Sequence, residues 1–280
     1  MTVSRIELDR RAYRRSRTAR SFAVAGTSTV LFLVVAGFAI VSSPGWDRVR
    51  ESFLDAGVAA RSWRPILSGL WLNLRVLVVA AVLVLALGLL IALLRTVRGA
   101  VLFPVRAFAT VYTDVFRGIP LIILLYIIGF GLPGLRLSGT PTSPVVLGTV
   151  AIVLTYSAYV AEVIRAGIES VHPSQRSAAR SLGLTYPQTM RLVVLPQAFR
   201  RVLPALLNDF VALQKDVGLI SVLGAVDAVR QAQIQSSLYA DFTPYVVAGG
   251  CFLLLAIPSG RFADWVAIRQ ARRQNAGAVV

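Results

Sequence analysis

Long uncharged apolar runs alternate with short arginine-bearing segments along the chain. A helix that crosses a bilayer needs about 20 mostly apolar residues. The run 21–41 carries no charge, and 76–94 is almost purely Leu, Val and Ala. The run 119–135 is uncharged but short, so its helix is expected to begin earlier, around Thr110. The run 137–161 is uncharged, with a polar, proline-containing start (137–144) that reads as loop. The run 202–224 is apolar but interrupted by Asp209, Lys215 and Asp216, and 242–260 is uncharged again. The pattern predicts an all-α integral membrane protein with six transmembrane helices.

Composition narrows the class. Only 15% of the residues are charged and the mean hydropathy is +0.71, against about 25% charged in soluble domains. That excludes a soluble, disordered or collagen-like chain. A disulfide scaffold is excluded because Cys251 stands alone, within an apolar run, where a buried inert thiol is expected. The net charge of +16 raises the question of nucleic acid. The arginines flank apolar segments instead of forming one basic face with interleaved aromatics, so nucleic acid is not an expected partner.

The arginines instead report topology. If the tail holding Arg5, Arg10, Arg11, Arg14, Arg15, Arg17 and Arg20 is cytoplasmic, so are 95–117, 162–201 and 261–280. Those segments together hold 21 of the 29 basic residues. Both termini are therefore expected in the cytoplasm of a multi-pass protein. The exit of the first run, Val41-Ser42-Ser43-Pro44, lacks a small-x-small cleavage site, so 21–41 reads as an anchor and not a signal peptide. The segment 42–65, with Pro44, Trp46 and Trp63, reads as an exposed extracytoplasmic linker.

The segment between the fourth and fifth runs is the most informative. Pro173 suits a first helical turn and Gly183 the position just past a helix end, which predicts a short helix over 174–182. Thr185-x-x-Gln188 has the spacing of a capping box for a second helix, expected to stop near Pro196. A polar helix–turn–helix at a membrane face is either a connector lying on headgroups or a docking element for a cytoplasmic partner. Ala178 and Ala179 would allow close backbone approach, and Gly183 a sharp turn.

Ser177-Ala178-Ala179, Gly183 and Val194-Leu195-Pro196 resemble the "EAA" loop of permease subunits in binding-protein-dependent ABC importers, with Ser177 in place of the usual Glu. The resemblance extends to the polar amino-acid branch through Phe116-Arg117-Gly118-Ile119-Pro120-Leu121 and Tyr156–Ile168. Leu195-Pro196-Gln197-Ala198 with Pro204 and Asn208, and Lys215-Asp216 with Leu219, carry it further. It covers 66–268 and, in length, is similar to actinobacterial glutamate-uptake permeases.

The resemblance implies a type I importer core of five helices, with 21–41 as an extra N-terminal span between a basic tail (1–20) and the linker 42–65, and a cytoplasmic tail at 269–280. It implies a bacterial inner (plasma) membrane location and a coupling loop over 169–200. In that loop Gln175, Arg176, Ser177, Ala178, Ala179, Arg180, Gly183, Leu195 and Pro196 would engage a separate ATP-binding subunit. The implied partners are that subunit, a second permease subunit (the same chain or a paralogue), an extracytoplasmic solute-binding protein and the bilayer. The expected cargo is a polar amino acid, with glutamate favoured.

The chain itself is not expected to be an enzyme or to bind a cofactor; ATP and magnesium belong to the partner. It has no phosphate-loop motif, its only lysine is Lys215, and its only histidine, His172, reads as a loop residue and not a metal ligand. Ionisable groups inside spans are functional candidates because of their cost. Asp209, Ala212 and Asp216 share one helix face, and Asn208 and Lys215 form an adjoining stripe. They line a pathway or form an internal charge network. Glu162, Arg165 and Glu169 align at i, i+3 and i+7 as an ionic ladder, with Glu162 deep enough to touch a pathway. Competing readings are a proton- or ion-coupled carrier using Asp209 or Glu162, and a membrane scaffold without cargo.

Overall fold

A chain in lipid must satisfy its backbone amides internally, which favours helices. The structure is a computed structural model that describes residues 5–97 and 99–277; among these it holds helices and turns and no strand. The side chains of 1–16, 19, 98 and 271–280 lie outside what is described, and with them most of the arginines expected in the two tails.

The chain divides into two units at Asp55 and Ala56. The first holds α1 (Arg5–Val41), a turn closed by Trp46 N donating to Ser43 O (3.0 Å), and α2 (Trp46–Phe53). Among the described side chains of α1, the large apolar ones from Phe22 to Val41 are exposed, as suits a helix whose solvent is hydrocarbon.

The second unit begins with α3 (Ala56–Thr96), which starts well before the expected run at 76. It continues through α4 (Phe103–Gly118), α5 (Leu121–Tyr126), a π turn (Ile127–Gly131) and α6 (Leu132–Gly134). Next come α7 (Pro144–Ser170), α8 (Pro173–Ser181), α9 (Tyr186–Thr189), a second π turn (Met190–Val194) and α10 (Leu195–Asp216). A 3-10 turn (Val217–Leu223), α11 (Ala228–Tyr239) and α12 (Thr243–Gly277) complete it.

Four stretches among the described residues are long and apolar enough to cross a membrane: Arg20–Val41, Trp46–Thr96, Pro144–Ser170 and Thr243–Gln270. A fifth arises if Phe103–Gly118 and Leu121–Gly134 count as one span, bent by 103°. Two expectations change. The helix expected to run from Thr110 into 119–135 is broken, because Pro120 cannot donate and Ile119 before it takes an extended conformation (φ −90°, ψ 127°). By length and composition four or five stretches among the described residues qualify, against the six expected: α10 is not among them, since its charged positions offset its apolar ones.

The core lies between α3, α7 and α10. Ala80, Val84, Ile91 and Ala92 of α3 pack with Ile152, Val160, Ala161 and Ile164 of α7 and with Val202, Leu206 and Leu213 of α10. At Gly167 an added Cβ would stand 2.2 Å from Val202 Cγ1, so any larger residue would displace Val202 where α7 and α10 cross. Gly129 and Gly148 likewise abut Leu223 and Ile220, whereas Gly131, Gly249 and Gly250 face open space.

At the other end of α3 a buried polar latch ties it to the loop before α11. Asn73 Nδ2 donates to Asp227 Oδ2 (2.9 Å) and Val217 O (3.2 Å), and Asn73 Oδ1 accepts from Ala228 N (3.0 Å). Asp227 Oδ1 caps α11 by accepting from Arg230 N (2.9 Å). Burial pushes the Asp227 carboxyl above its ordinary value, outweighing the hydrogen bonds that oppose the shift. A raised folded value means that protonation favours the folded state. This contribution is complete below the unfolded value and is lost as pH rises through the folded one. The Tm of the detergent-purified protein, relative to that of Asp227→Asn, is expected to be larger at pH 4.5 than at pH 7.5. A difference independent of pH would reject this assignment.

Candidate functional site

The loop that leaves α7 is built from local signals. His172 Nδ1 accepts from Ser174 N (3.3 Å) and lies 2.7 Å from Ser174 Oγ, capping α8, and Pro173 opens that helix where no donor is needed. The cap is a role for His172 that its place in a loop did not reveal. At the other end Gly183 N donates to Arg180 O (2.9 Å) and Leu184 N to Ala179 O (3.1 Å), with Gly183 at φ +80°. This is the paired-bond termination that a left-handed glycine completes. The Thr185–Gln188 capping box is formed, with Thr185 N donating to Gln188 Oε1 (2.8 Å).

The second helix does not stop near Pro196. The π turn ends with Leu195 N donating to Met190 O, so the ladder has already slipped when Pro196 arrives at the start of α10. Gln197 Nε2 then satisfies Val193 O (3.0 Å). Leu195 is half-buried and Pro196 exposed.

The faces of α8 differ. Gln175, Ser177, Ala178 and Arg180 are exposed, Arg176 is half-buried, and Ala179 is buried. Ala179 thus packs inward, and of the two alanines expected to admit a partner only Ala178 faces out. Leu182 at the tip is 82% exposed, an apolar side chain that nothing in its flanking sequence singles out.

Long side chains fasten this loop to the ends of two core helices. Arg176 Nη2 donates to Ile168 O (2.5 Å) and Arg201 to Ser170 O, with Arg201 Nη1 also 3.2 Å from Ser170 Oγ. Both guanidinium groups stand at the negative end of the α7 dipole. The Tyr186 hydroxyl donates to Thr96 O (3.1 Å) at the end of α3.

About two turns deeper along α7, Glu162 joins three helices. Its Oε2 accepts from Arg95 Nη1 of α3 (2.5 Å) and lies 3.8 Å from Arg117 Nη1 of α4. Its Oε1 accepts from Arg165 Nη2 (2.5 Å), and Arg165 Nη1 donates to Glu169 Oε1 (2.5 Å). The ladder is present, and Arg95 and Arg117 extend it across helices. Arg117 also lies over the Tyr159 ring (5.6 Å).

On α10, Asp209 and Asp216 are half-buried toward α7, where the Tyr156 hydroxyl donates to Asp216 Oδ2 (2.7 Å). Asp209 borders an apolar groove of about 180 Å³ that Tyr156 and Phe210 also line, and its Oδ2 is buried without a hydrogen-bond partner. Asn208 and Lys215 lie on the exposed stripe beside them. Among the described residues no three His, Cys, Asp or Glu side chains converge to hold a metal.

Residues 85–272 match the family model described as binding-protein-dependent transport system inner membrane component. The arginine transport system permease protein ArtQ of Bacillus subtilis is 36% identical over 69% of this chain and 86% of its own length. The glutamate/aspartate import permease protein GltK of Escherichia coli is 35% identical over 71% of this chain and 93% of its own length. A crystal structure of an amino acid ABC transporter with histidines matches with a TM-score of 0.69 at 34% identity, covering 78% of this chain and 99% of that one. The inward-facing MetNI methionine ABC transporter shares the fold, with a TM-score of 0.54 at 21% identity over 73% of this chain and 95% of that one.

Proposed function

This chain belongs to the inner membrane components of binding-protein-dependent transport systems, and from that premise we propose that it is the permease subunit of an ATP-driven importer of a polar amino acid, glutamate favoured. The observation that carries the mechanism is the short helix α8. It is capped at both ends, its outer face is exposed, Arg176 ties it to Ile168 O at the end of α7, and Tyr186 of the adjoining α9 bonds Thr96 O at the end of α3. Such an element moves as one piece with those helices.

An ATP-binding subunit on the cytoplasmic side would hold α8 through Gln175, Ser177, Ala178, Arg180 and the Leu182 tip. Only a difference in binding between its two nucleotide states transmits work. A shift of α8 passes through Ile168 O and Thr96 O into α7 and α3, which meet α4 at Glu162. The membrane arrangement is the one the arginines predict, with both termini cytoplasmic and 21–41 a further span. ATP and magnesium are used by the partner, and this chain binds no cofactor.

A second permease subunit encloses the pathway with the exposed stripe of α10. Asn208 and Lys215 line it, with Asp209 and Asp216 half-buried beside them toward α7, and Glu162 stands at its cytoplasmic end. A solute-binding protein delivers cargo from outside. Glutamate rests on the glutamate/aspartate permease among the relatives. The test is reconstitution with candidate ATP-binding and solute-binding proteins and a panel of labelled amino acids. ATP-dependent uptake that saturates with glutamate supports the reading. Uptake that ignores ATP and collapses with an uncoupler overturns it.

A further inference from the structure

Behind α8 lies a recess of about 280 Å³, walled by α8 on one side and by α9 and its π turn on the other. Its apolar floor is Val171, Met190 and Val194, and its polar lining is dominated by donors. Arg176 and Arg180 both line it, and among the described residues neither is paired with a carboxylate. Arg176 spends one nitrogen on Ile168 O, while its Nε is buried without a partner. Thr189, 4% exposed, also lines the recess, and its hydroxyl has no partner. The one acidic side chain at the rim, Glu169, is engaged by Arg165 at 2.5 Å.

Buried donors without acceptors are rare because each forfeits a bond it had in water. Two guanidinium groups beside an unmatched hydroxyl fit a planar oxyanion, which a guanidinium fork holds through paired bonds. We propose that this recess is a carboxylate site, filled by an acidic side chain of the ATP-binding subunit when that subunit docks on α8. The inference rests on the docking role assigned above and adds the chemistry of the contact. Charge complementarity argues for it: Arg180 and Ser177 stand at the exposed rim, beside the face that α8 presents outward.

Arg180 and Thr189 provide the test, because both line the recess while Thr189 is buried away from the outward face of α8. With the permease in lipid nanodiscs, the Kd for the ATP-binding subunit is expected to rise about tenfold in Arg180→Gln, with a flatter dependence on salt, and about threefold in Thr189→Val. Both variants should keep the wild-type Tm, since neither side chain is paired with a carboxylate and the Thr189 hydroxyl has no partner. Binding of Thr189→Val as tight as wild type overturns the carboxylate site. If wild type itself fails to bind the subunit, the docking reading falls instead. If wild type binds, Gly183→Pro does not, and Thr189→Val is neutral, docking stands and the carboxylate site alone is rejected.

Discussion

Gly183→Pro lowers ATP-coupled uptake by at least about 100-fold in proteoliposomes that contain the normal amount of inserted permease. The size follows from what the position does. Gly183 sits at φ +80° and its N–H closes α8 on Arg180 O (2.9 Å). Proline holds φ near −65° and has no N–H, so both features are lost together, at about 3 kcal/mol or more. It also drives the preceding Leu182 from its near-helical conformation (φ −83°, ψ 7°) toward an extended one, which carries the exposed tip away from the helix. Gly183→Ala separates the terms. An added Cβ meets nothing within 4 Å, so alanine feels only the left-handed backbone, roughly 1–2 kcal/mol, and uptake should fall far less. Insertion is untouched because the turn lies outside every candidate span. Normal uptake by the proline variant would remove α8 as the handle of the machine.

Local rules made this turn legible, and they made little else so. Pro173, Gly183 and the Thr185–Gln188 pair each act within a few residues, so α8 and the start of α9 can be read from the chain. The same holds for Glu162, Arg165 and Glu169, which meet along one helix. Arg95 is another matter. It finds Glu162 across 67 positions, and nothing in its flanking sequence distinguishes it from an arginine that marks topology. Asn73 looks like the polar edge of an apolar run; its burial depends on Asp227, which the chain brings back only after seven more helices, two π turns and a 3-10 turn. Ala178 and Ala179 are equivalent in sequence, and only the packing of α8 on its own chain turns one in and one out. Pro196 misled for a subtler reason. Proline ends a regular helix, but a π turn just before it had already displaced the bond it would break.

Replacing Glu162 with alanine is expected to destabilise the purified permease by about 3 kcal/mol, since removing one member of a largely enclosed ion pair strands the other charge. Here Arg95 of α3 and Arg117 of α4 lose their carboxylate and Arg165 of α7 keeps only Glu169, with Arg95 only 11% exposed and its Nε already without a partner. They would repel one another at the point where the helices that carry α8 converge. Thermal unfolding in detergent should show a fall of several degrees. Arg95→Gln added to Glu162→Gln should recover part of the loss, because the most enclosed charge goes with its counterion, and the cycle of single and double variants isolates that coupling. Arg165→Ala should cost less, because the 27% exposed Arg165 pairs with Glu162 and Glu169 along its own helix and bridges no others. A Tm unchanged by Glu162→Ala would reject the junction. A Glu162→Gln protein that is thermally intact yet transports nothing would place this carboxylate in contact with the moving solute, because a charge needed only to hold helices together cannot be removed without loosening them.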